Sequence, residues 1–379
     1  MRLKFTFLIF FLVTLCFSQK NIKKPNVLLL YMDDLRPELN SYGATHIYSP
    51  NIDKLSKIGV QFNEAYANVA VCGASRASML TGIYPSRNYF IDYKTRVDVE
   101  KKEIVSLPKH LKNNGYTTIS NGKIYHFLDD NWEDWDEVWR PYAFEGPKEI
   151  KPIDWWESLW KDYQTNENKN LENLTGKGPA FEKAVVDDSV LIDGLLTNKV
   201  IRDIKRLKNE SSPFFLTAGF ISNHLPFIAP KRFWDMYDYE SIKLPKNDIP
   251  PLNSPSISIS NNSELINGYL GIPKKGDLSE DLSKKLKHGY YATVSYVDYL
   301  VGKIIITLEE EELLKNTIII FVSDHGFNLK EHSQWGKYTS HRISGRVPLI
   351  IYDPKTKSSI NSNSLVELVD IYPTVLDLL

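Results

Sequence analysis

Two adjacent carboxylates, Asp33-Asp34, end the apolar run 26–32, and a second polar cluster, Ser323-Asp324-His325-Gly326, ends the run 317–322. Neighbouring carboxylates repel unless a cation neutralises them. In open α/β sheets the loops beyond the carboxyl ends of the strands converge on ligands. Asp33, Asp34, Asp324 and His325 therefore read as protein ligands of one divalent ion. Oxygen-rich ligation favours calcium or magnesium over zinc, with His325 the soft member of the set. Taken singly, Asp33-Asp34 would be a helix N-cap with a solvated neighbour, and Asp324-His325-Gly326 a turn. Cys72, in Cys72-Gly73-Ala74-Ser75-Arg76, is the third focus. The other cysteine, Cys16, lies in a stretch that reads as a cleaved export signal, so the mature chain keeps one cysteine with no partner for an internal disulfide. A buried small hydrophobe is the plain alternative.

These groups need elements to position them. From Pro25 onward apolar runs alternate with helix-like stretches, which predicts an α/β layer architecture. Residues 26–32, 213–220, 317–322 and 347–352 read as strands buried on both faces, and 116–120 as a weaker strand. Helices are expected near 51–58, 106–113, 190–206 and 282–312, the last broken somewhere inside its length, and near 365–379. Two stretches depart from the alternation. Residues 131–160 hold six of the eight tryptophans, and 243–282 are rich in Pro, Ser and Asn and read as a long surface excursion.

Composition sets the outer bounds. The 379 residues are 42% hydrophobic and 25% charged with a net charge of −1, ordinary for one large domain or two unequal ones. That balance offers no basic surface for nucleic acid. Arg2 and Lys4 precede an apolar run from Phe5 to Phe17, which meets Ser18-Gln19-Lys20. This reads as a secretory signal over residues 1–18, and no later segment reads as a membrane span. The chain is therefore expected to be exported, to the periplasm or outside the cell, with a catalytic domain over 24–379.

The segment Cys72-Gly73-Ala74-Ser75-Arg76, followed by Leu80-Thr81-Gly82, resembles the signature of type I sulfatases, in which the cysteine is oxidised to formylglycine. Further matches follow in order: residues 26–34, Gly122-Lys123-Ile124-Tyr125-His126, Asn223-His224-Leu225-Pro226-Phe227, and Ser323-Asp324-His325-Gly326 with Glu331-His332 and Lys337 beyond. The His of Asp324-His325-Gly326 and the Trp335-x-Lys337-Tyr338 spacing are similar to the iduronate-2-sulfatase branch. The resemblance runs from about Lys24 to Leu379. It implies an alkaline-phosphatase-like fold with a mostly parallel sheet flanked by helices. It also implies a smaller C-terminal subdomain that this sequence, stopping at Leu379, does not show.

By the same resemblance, hydrated formylglycine made from Cys72 is the nucleophile. One Ca2+ on Asp33, Asp34, Asp324, His325 and residue 72 polarises it and the sulfate. Arg76 fixes the nucleophile, Lys123 neutralises charge, His126 is the base for sulfate release, His224 the acid for the leaving oxygen, and Lys337 the sulfate clamp. Thr81 and Gly82 close the helix that presents residue 72. Outside this pattern the two lysines would be solvated charges and the histidines structural.

Position 74 is Ala where Pro is commoner, so the maturing partner is a formylglycine-generating or an anaerobic sulfatase-maturing enzyme. The implied substrate is a sulfated saccharide, with a 2-O-sulfated uronate suggested by the branch. Arg342 and Arg346 are available to meet its carboxylate. His332 and His341 lie near by sequence with weaker claims. The six tryptophans of 131–160 pack an insertion or stack on sugars. A phosphate or phosphonate ester hydrolase of the same superfamily and an inactive glycan-binding homologue are the rival readings.

Overall fold

The computed structural model describes residues 24–143, 155–260, 262–356 and 359–379; the export signal read at 1–18 lies outside them. Twelve strands occur among the described residues: β1 (Asn26–Met32), β2 (Val60–Tyr66), β3 (Thr117–Gly122), β4 (Glu137–Trp139), β5 (Phe181–Ala184), β6 (Phe214–Gly219), β7 (Phe227–Pro230), β8 (Thr317–Ser323), β9 (Asn328–Leu329), β10 (Trp335–Gly336), β11 (Arg346–Tyr352) and β12 (Ile360–Glu367). Eight form one sheet in the order β12-β2-β11-β8-β1-β6-β3-β4, and β5 with β7 and β9 with β10 form separate pairs. Only β11 runs against its neighbours in the large sheet. This is the alkaline-phosphatase-like, mostly parallel arrangement the sequence predicts.

The apolar runs explain the layering. Every residue of β1, β6 and β8 is buried, as expected of parallel strands covered on both faces. Alternate residues of β1 feed two cores. Leu28, Leu30 and Met32 pack towards the helices Ile192–Leu207 and Glu280–Glu310. Val27, Leu29 and Tyr31 pack towards Cys72–Thr81, Leu107–Asn113 and Ile371–Leu378. Each such side chain contributes roughly 1.5–3 kcal/mol by leaving water. Because β1, β3, β6 and β8 are parallel neighbours, their carboxyl ends lie on one edge. That edge carries Asp33-Asp34 after β1, Lys123 after β3, His224 a few residues after β6 and Asp324-His325 after β8.

Three expectations need correction. The helix read over 282–312 with an internal break is one continuous helix, Glu280–Glu310. Its glycines serve close packing: a Cβ on Gly289 would come within 2.9 Å of Phe227 and Trp234, and one on Gly302 within 2.4 Å of Asn51. This helix is also long and apolar enough by length and composition to cross a membrane, contrary to the sequence reading, but its apolar stretch is mostly buried against the protein's own core. The helix read over 365–379 is part strand: β12 runs to Glu367, a reciprocal cap between Glu367 and Asp370 turns the chain, and the helix occupies only Ile371–Leu378. Of the tryptophan-rich stretch, Trp135 stacks on Phe215 and Trp160 on Tyr163, both packing uses, while Trp132 is exposed.

Candidate active site

Cys72 is the first residue of the helix Cys72–Thr81, which is buried along its whole length. Gly82, at φ 67°, ends the helix in the left-handed conformation glycine adopts freely, and Thr81 Oγ1 bonds the Ala77 carbonyl. Gly73 permits the close approach of the neighbouring chain, since a Cβ there would lie 2.4 Å from the Tyr93 carbonyl oxygen. The Cys72 sulfur thus sits at the edge of the sheet, 3.1 Å from His325 Nε2 and 3.5 Å from Asp33 Oδ1. Burial, with Asp33 adding to it, pushes the thiol well above its usual range.

Around this sulfur each buried carboxylate has a cation. Lys123 Nζ donates to Asp33 Oδ2. Lys337 Nζ donates to Asp34 Oδ2 at 2.9 Å. Arg76 Nε donates to Asp324 Oδ2 at 2.9 Å, with its terminal nitrogens on the carbonyls of Met32, Lys123 and Ile124 and its guanidinium over the Tyr31 ring. Burial would raise Asp33, but Lys123, His224 and Arg76 hold it well below the usual carboxylate range. At Asp34 burial prevails over Lys337 and His224 and keeps the carboxyl raised. Lys337 is held well above the usual amine range: burial opposes its charge, and Asp34, Cys72 and Glu264 outweigh burial.

The two histidines differ in their surroundings. His224 Nε2 lies 2.9 Å from Glu264 Oε1 and 3.9 Å from Asp34 Oδ2, and Nδ1 lies 2.5 Å from the Leu225 carbonyl. Both ring nitrogens face acceptors, the arrangement of an imidazolium. Burial and Lys337 oppose that charge, but Asp34, Glu264 and Asp33 raise the pKa. His126 is the reverse. Burial and then Lys123 drive it well below its ordinary value, and its Nδ1 has no hydrogen-bond partner among the described residues. It stays neutral, with its ring edge-on to Tyr93 and Phe127.

The ligand atoms of Asp33, Asp34, Cys72 and His325 all lie within 4.8 Å of one another, and Asp34 Oδ1 accepts no hydrogen bond among the described residues. Asp324, read from the sequence as a ligand, is not in this group of four; it lies 3.6 Å from His325 Nε2, and its oxygens already accept from Asp34 N, His325 N and Arg76. Charge fits a cation as well. Four carboxylates, Asp33, Asp34, Asp324 and Glu264, face three permanent cations, Arg76, Lys123 and Lys337. Protonated His224 is a fourth cation, so these groups alone balance; an anionic substrate adds a negative charge that a bound cation would oppose.

Cys72, Tyr93, His126, His224, Glu264 and Lys337 line a cavity of about 460 Å³. Arg76, Asp33 and Asp324 support it from behind, fully buried. Other sequence candidates fall elsewhere. Arg342 pairs with Glu64 and bonds Tyr66, Arg346 donates to the Asn63 carbonyl, and neither lines this cavity. They are therefore not placed to receive a substrate carboxylate there. His332 and His341 pack against each other 5.1 Å apart and also lie outside the lining.

Glu264, by contrast, was not singled out by sequence. It is the one acidic residue between Asp248 and Asp277, on the short helix Ser263–Gly268 inside the Pro/Ser/Asn-rich excursion. An isolated acid before Leu265 and Ile266, with no other charged residue over 249–273, was the signal available.

Comparison with known proteins places this arrangement. The sulfatase family model matches residues 25–379. Iduronate 2-sulfatase of Mus musculus is 32% identical over 92% of this chain and 68% of its own length, and that of Homo sapiens 31% identical over the same shares. A sulfatase of Formosa agariphila is 30% identical over 95% of this chain and 70% of its own. Among solved structures, the phosphonate monoester hydrolase of Silicibacter pomeroyi superposes with a TM-score of 0.72 at 21% identity, over 94% of this chain and 73% of that one. A protein solved with its substrate D-glucosamine-2-N,6-O-disulfate gives 0.69 at 22%, over 94% and 76%. At those identities the structural likeness speaks for the fold alone, and the sequence relatives decide the rest. The chain is a member of the type I sulfatase family, on its iduronate-2-sulfatase-like branch, and is a sulfuric ester hydrolase.

Proposed function

We propose that this sulfatase is exported and removes sulfate esters from carbohydrate, using a formylglycine made from Cys72 and one calcium ion, with terminal 2-O-sulfated uronate as its substrate class. The convergence of Cys72, both histidines and Lys337 on one cavity carries the reading. Sugar as substrate is supported by the iduronate 2-sulfatase relatives, by the structural neighbour solved with a disulfated glucosamine, and by another described as a 2-O glycosaminoglycan sulfatase, at a TM-score of 0.67 and 18% identity over 94% of this chain and 70% of that one. Export rests on the sequence of residues 1–18.

Oxidised Cys72 would supply a hydrated aldehyde as nucleophile, and Asp33, Asp34, His325 and residue 72, with Asp324 near by, would hold a calcium ion whose chemistry would be to stabilise negative charge. The rest is work for the chain's own side chains. Lys337 faces the cavity with its ammonium and binds sulfate. Lys123 balances Asp33 beside the nucleophile. His224, held protonated by the carboxylates around it, gives its proton to the departing sugar oxygen. His126, held neutral, takes a proton when sulfate is released. Arg76 touches no substrate and pins Asp324 and three strand-end carbonyls in place.

The test is the mass of the tryptic peptide ending at Arg76, from protein made in its native host, measured together with sulfate release from uronate-sulfated and hexose-sulfated oligosaccharides. The reading expects an aldehyde mass at position 72, and sulfate released from the uronate. A free thiol in fully active protein would overturn the nucleophile, and release only from the neutral hexose would overturn the uronate.

A further inference from the structure

A second cavity, of about 610 Å³, adjoins the one that holds the site. Tyr338 lines both and is 44% exposed, which makes it their shared wall. The second cavity lies between the segments 66–71 and 338–345. One segment runs into Cys72 and the other follows Lys337 directly, so the cavity begins beside the nucleophile and the sulfate-binding lysine. The two segments are tied together twice. The Gly345 carbonyl accepts the Ala67 N–H at 2.8 Å, and the Ala70 carbonyl accepts the Tyr338 N–H at 3.2 Å. Tyr338 is held there at φ 68°, a left-handed conformation that costs a tyrosine about 1–3 kcal/mol.

The lining has the character of a sugar site. Tyr66, Val69 and Tyr338 supply apolar surface, and Ser340, His341 and Arg342 supply polar groups. A pyranose needs both, one for its C–H face and the other for its hydroxyls. No carboxylate lines the cavity, and its one permanent charge is that of Arg342, which pairs with Glu64 behind it. The lining itself therefore sets no anion against an anionic glycan.

We infer that this second cavity binds the sugar next to the sulfated one, so that the enzyme reads at least two residues of a glycan chain. The inference rests on the saccharide reading above. With the ester held at residue 72, His224 and Lys337, the rest of the chain has to leave the first cavity. Across Tyr338 it meets an exposed aromatic ring and then a fixed space large enough for a further sugar. A monosaccharide sulfate or an aryl sulfate occupies the first cavity alone and gains nothing from the second.

Rates on short substrates test this. Sulfate release is measured on the methyl glycoside of a 2-O-sulfated uronic acid and on the disaccharide that ends in that residue. A matched pair built on a sulfated neutral hexose is run alongside, and the comparison is made within whichever pair releases sulfate. The disaccharide should be favoured in kcat/KM by about 10-fold or more, the size of one aromatic contact with a hydrogen bond. Ser340→Trp and Val69→Trp, which fill the second cavity from its two walls, should each cut that preference to within about three-fold. Disturbance of the site itself lowers both rates alike and does not produce a fall in the ratio. Equal kcat/KM for the two members of the pair would overturn the inference, as would a preference that survives both substitutions. Release from neither pair, with nitrophenyl sulfate still hydrolysed, would overturn the saccharide reading and this subsite with it.

Discussion

On one side of the cavity the groups that do chemistry stand on strand ends and on a buried helix; on the other they come from segments with no strand of the main sheet behind them. Asp33-Asp34, Lys123 and Asp324-His325 follow neighbouring parallel strands, and Asp33, Asp34 and Asp324 each meet a cation. The facing wall is Tyr93, Glu264, Asn267 and Tyr338. Tyr93 and Tyr338 are about two-fifths exposed, and Glu264 has a buried oxygen with no hydrogen-bond partner among the described residues. The difference separates two jobs. A nucleophile and its charges need fixed places, which a sheet packed on both faces provides; a wall that reads a sugar needs open polar and aromatic groups.

The largest effect is expected where the first side is most tightly tied. Arg76→Ala removes the cation of Asp324 and the donor to the Met32, Lys123 and Ile124 carbonyls at once. Leaving a buried carboxylate without its partner costs about 3–5 kcal/mol. Turnover should be lost and the melting temperature should fall sharply, with Arg76→Lys recovering stability only in part because an ammonium lacks the planar fork. Thermal melts of both variants check this. Unchanged melting of the Ala variant would mean that the strand-end side does not depend on its ion pairs.

His224 lies where the two sides meet, reaching Asp34 on one and Glu264 on the other. If it gives a proton to the leaving oxygen, His224→Ala should lower kcat about 10²-fold or more on a sugar sulfate. The loss on a nitrophenyl sulfate, whose leaving group needs no proton, should be at least ten-fold smaller. Equal losses on both would move His224 from proton transfer to sulfate binding.

The same contrast explains what the sequence disclosed. The strands β1, β6, β8 and β11 are continuous apolar runs because both faces are covered, and the polar residues that break each run mark the carboxyl edge. Asp33, Asp34, His224 and Asp324-His325 were therefore readable at strand ends, whereas Cys72 was readable from its isolation and motif and Lys123 only from the resemblance. β2 was not, since Val60–Tyr66 carries Gln61, Asn63 and Glu64 and lacks the apolar continuity of the central strands. β12 was not either: Leu365, Val366 and Leu368 have helical spacing with the residues after them, and only the pairing of β12 with β2 and the cap at Asp370 decide where strand gives way to helix. Glu264 was hidden for a further reason. Its meaning comes from His224 and Lys337, 40 and 73 positions away, and nothing local to the excursion points to them.

A carboxylate just behind the same strand ends, Asp193, sharpens the comparison by pairing with no cation among the described residues. It sits near the start of the helix Ile192–Leu207, fully buried, and accepts the backbone N–H groups of Ile221 and Ser222 from the segment leading to His224. Burial raises its carboxyl to about 6, against the pull of those two N–H groups and with Asp33 adding to the rise. A folded-state pKa above the unfolded one makes the proton stabilising. The contribution is complete below the unfolded value near 4 and is lost as pH rises through about 6. Asp193 should therefore lower stability by about 1–3 kcal/mol between pH 4 and pH 7. Asp33, held low by Lys123, works in the opposite sense, its contribution present above the unfolded value and lost only as pH falls below it. Asp193→Asn should remove its own share of the loss above pH 4, other buried carboxyls such as Asp130 and Asp298 keeping theirs, and leave the acid-side loss intact, as read from melting temperatures at half-unit pH steps in the presence of calcium. A variant that melts with the parent's pH profile would show that the two N–H groups alone satisfy the charge, and that a carboxylate at these strand ends needs no cation.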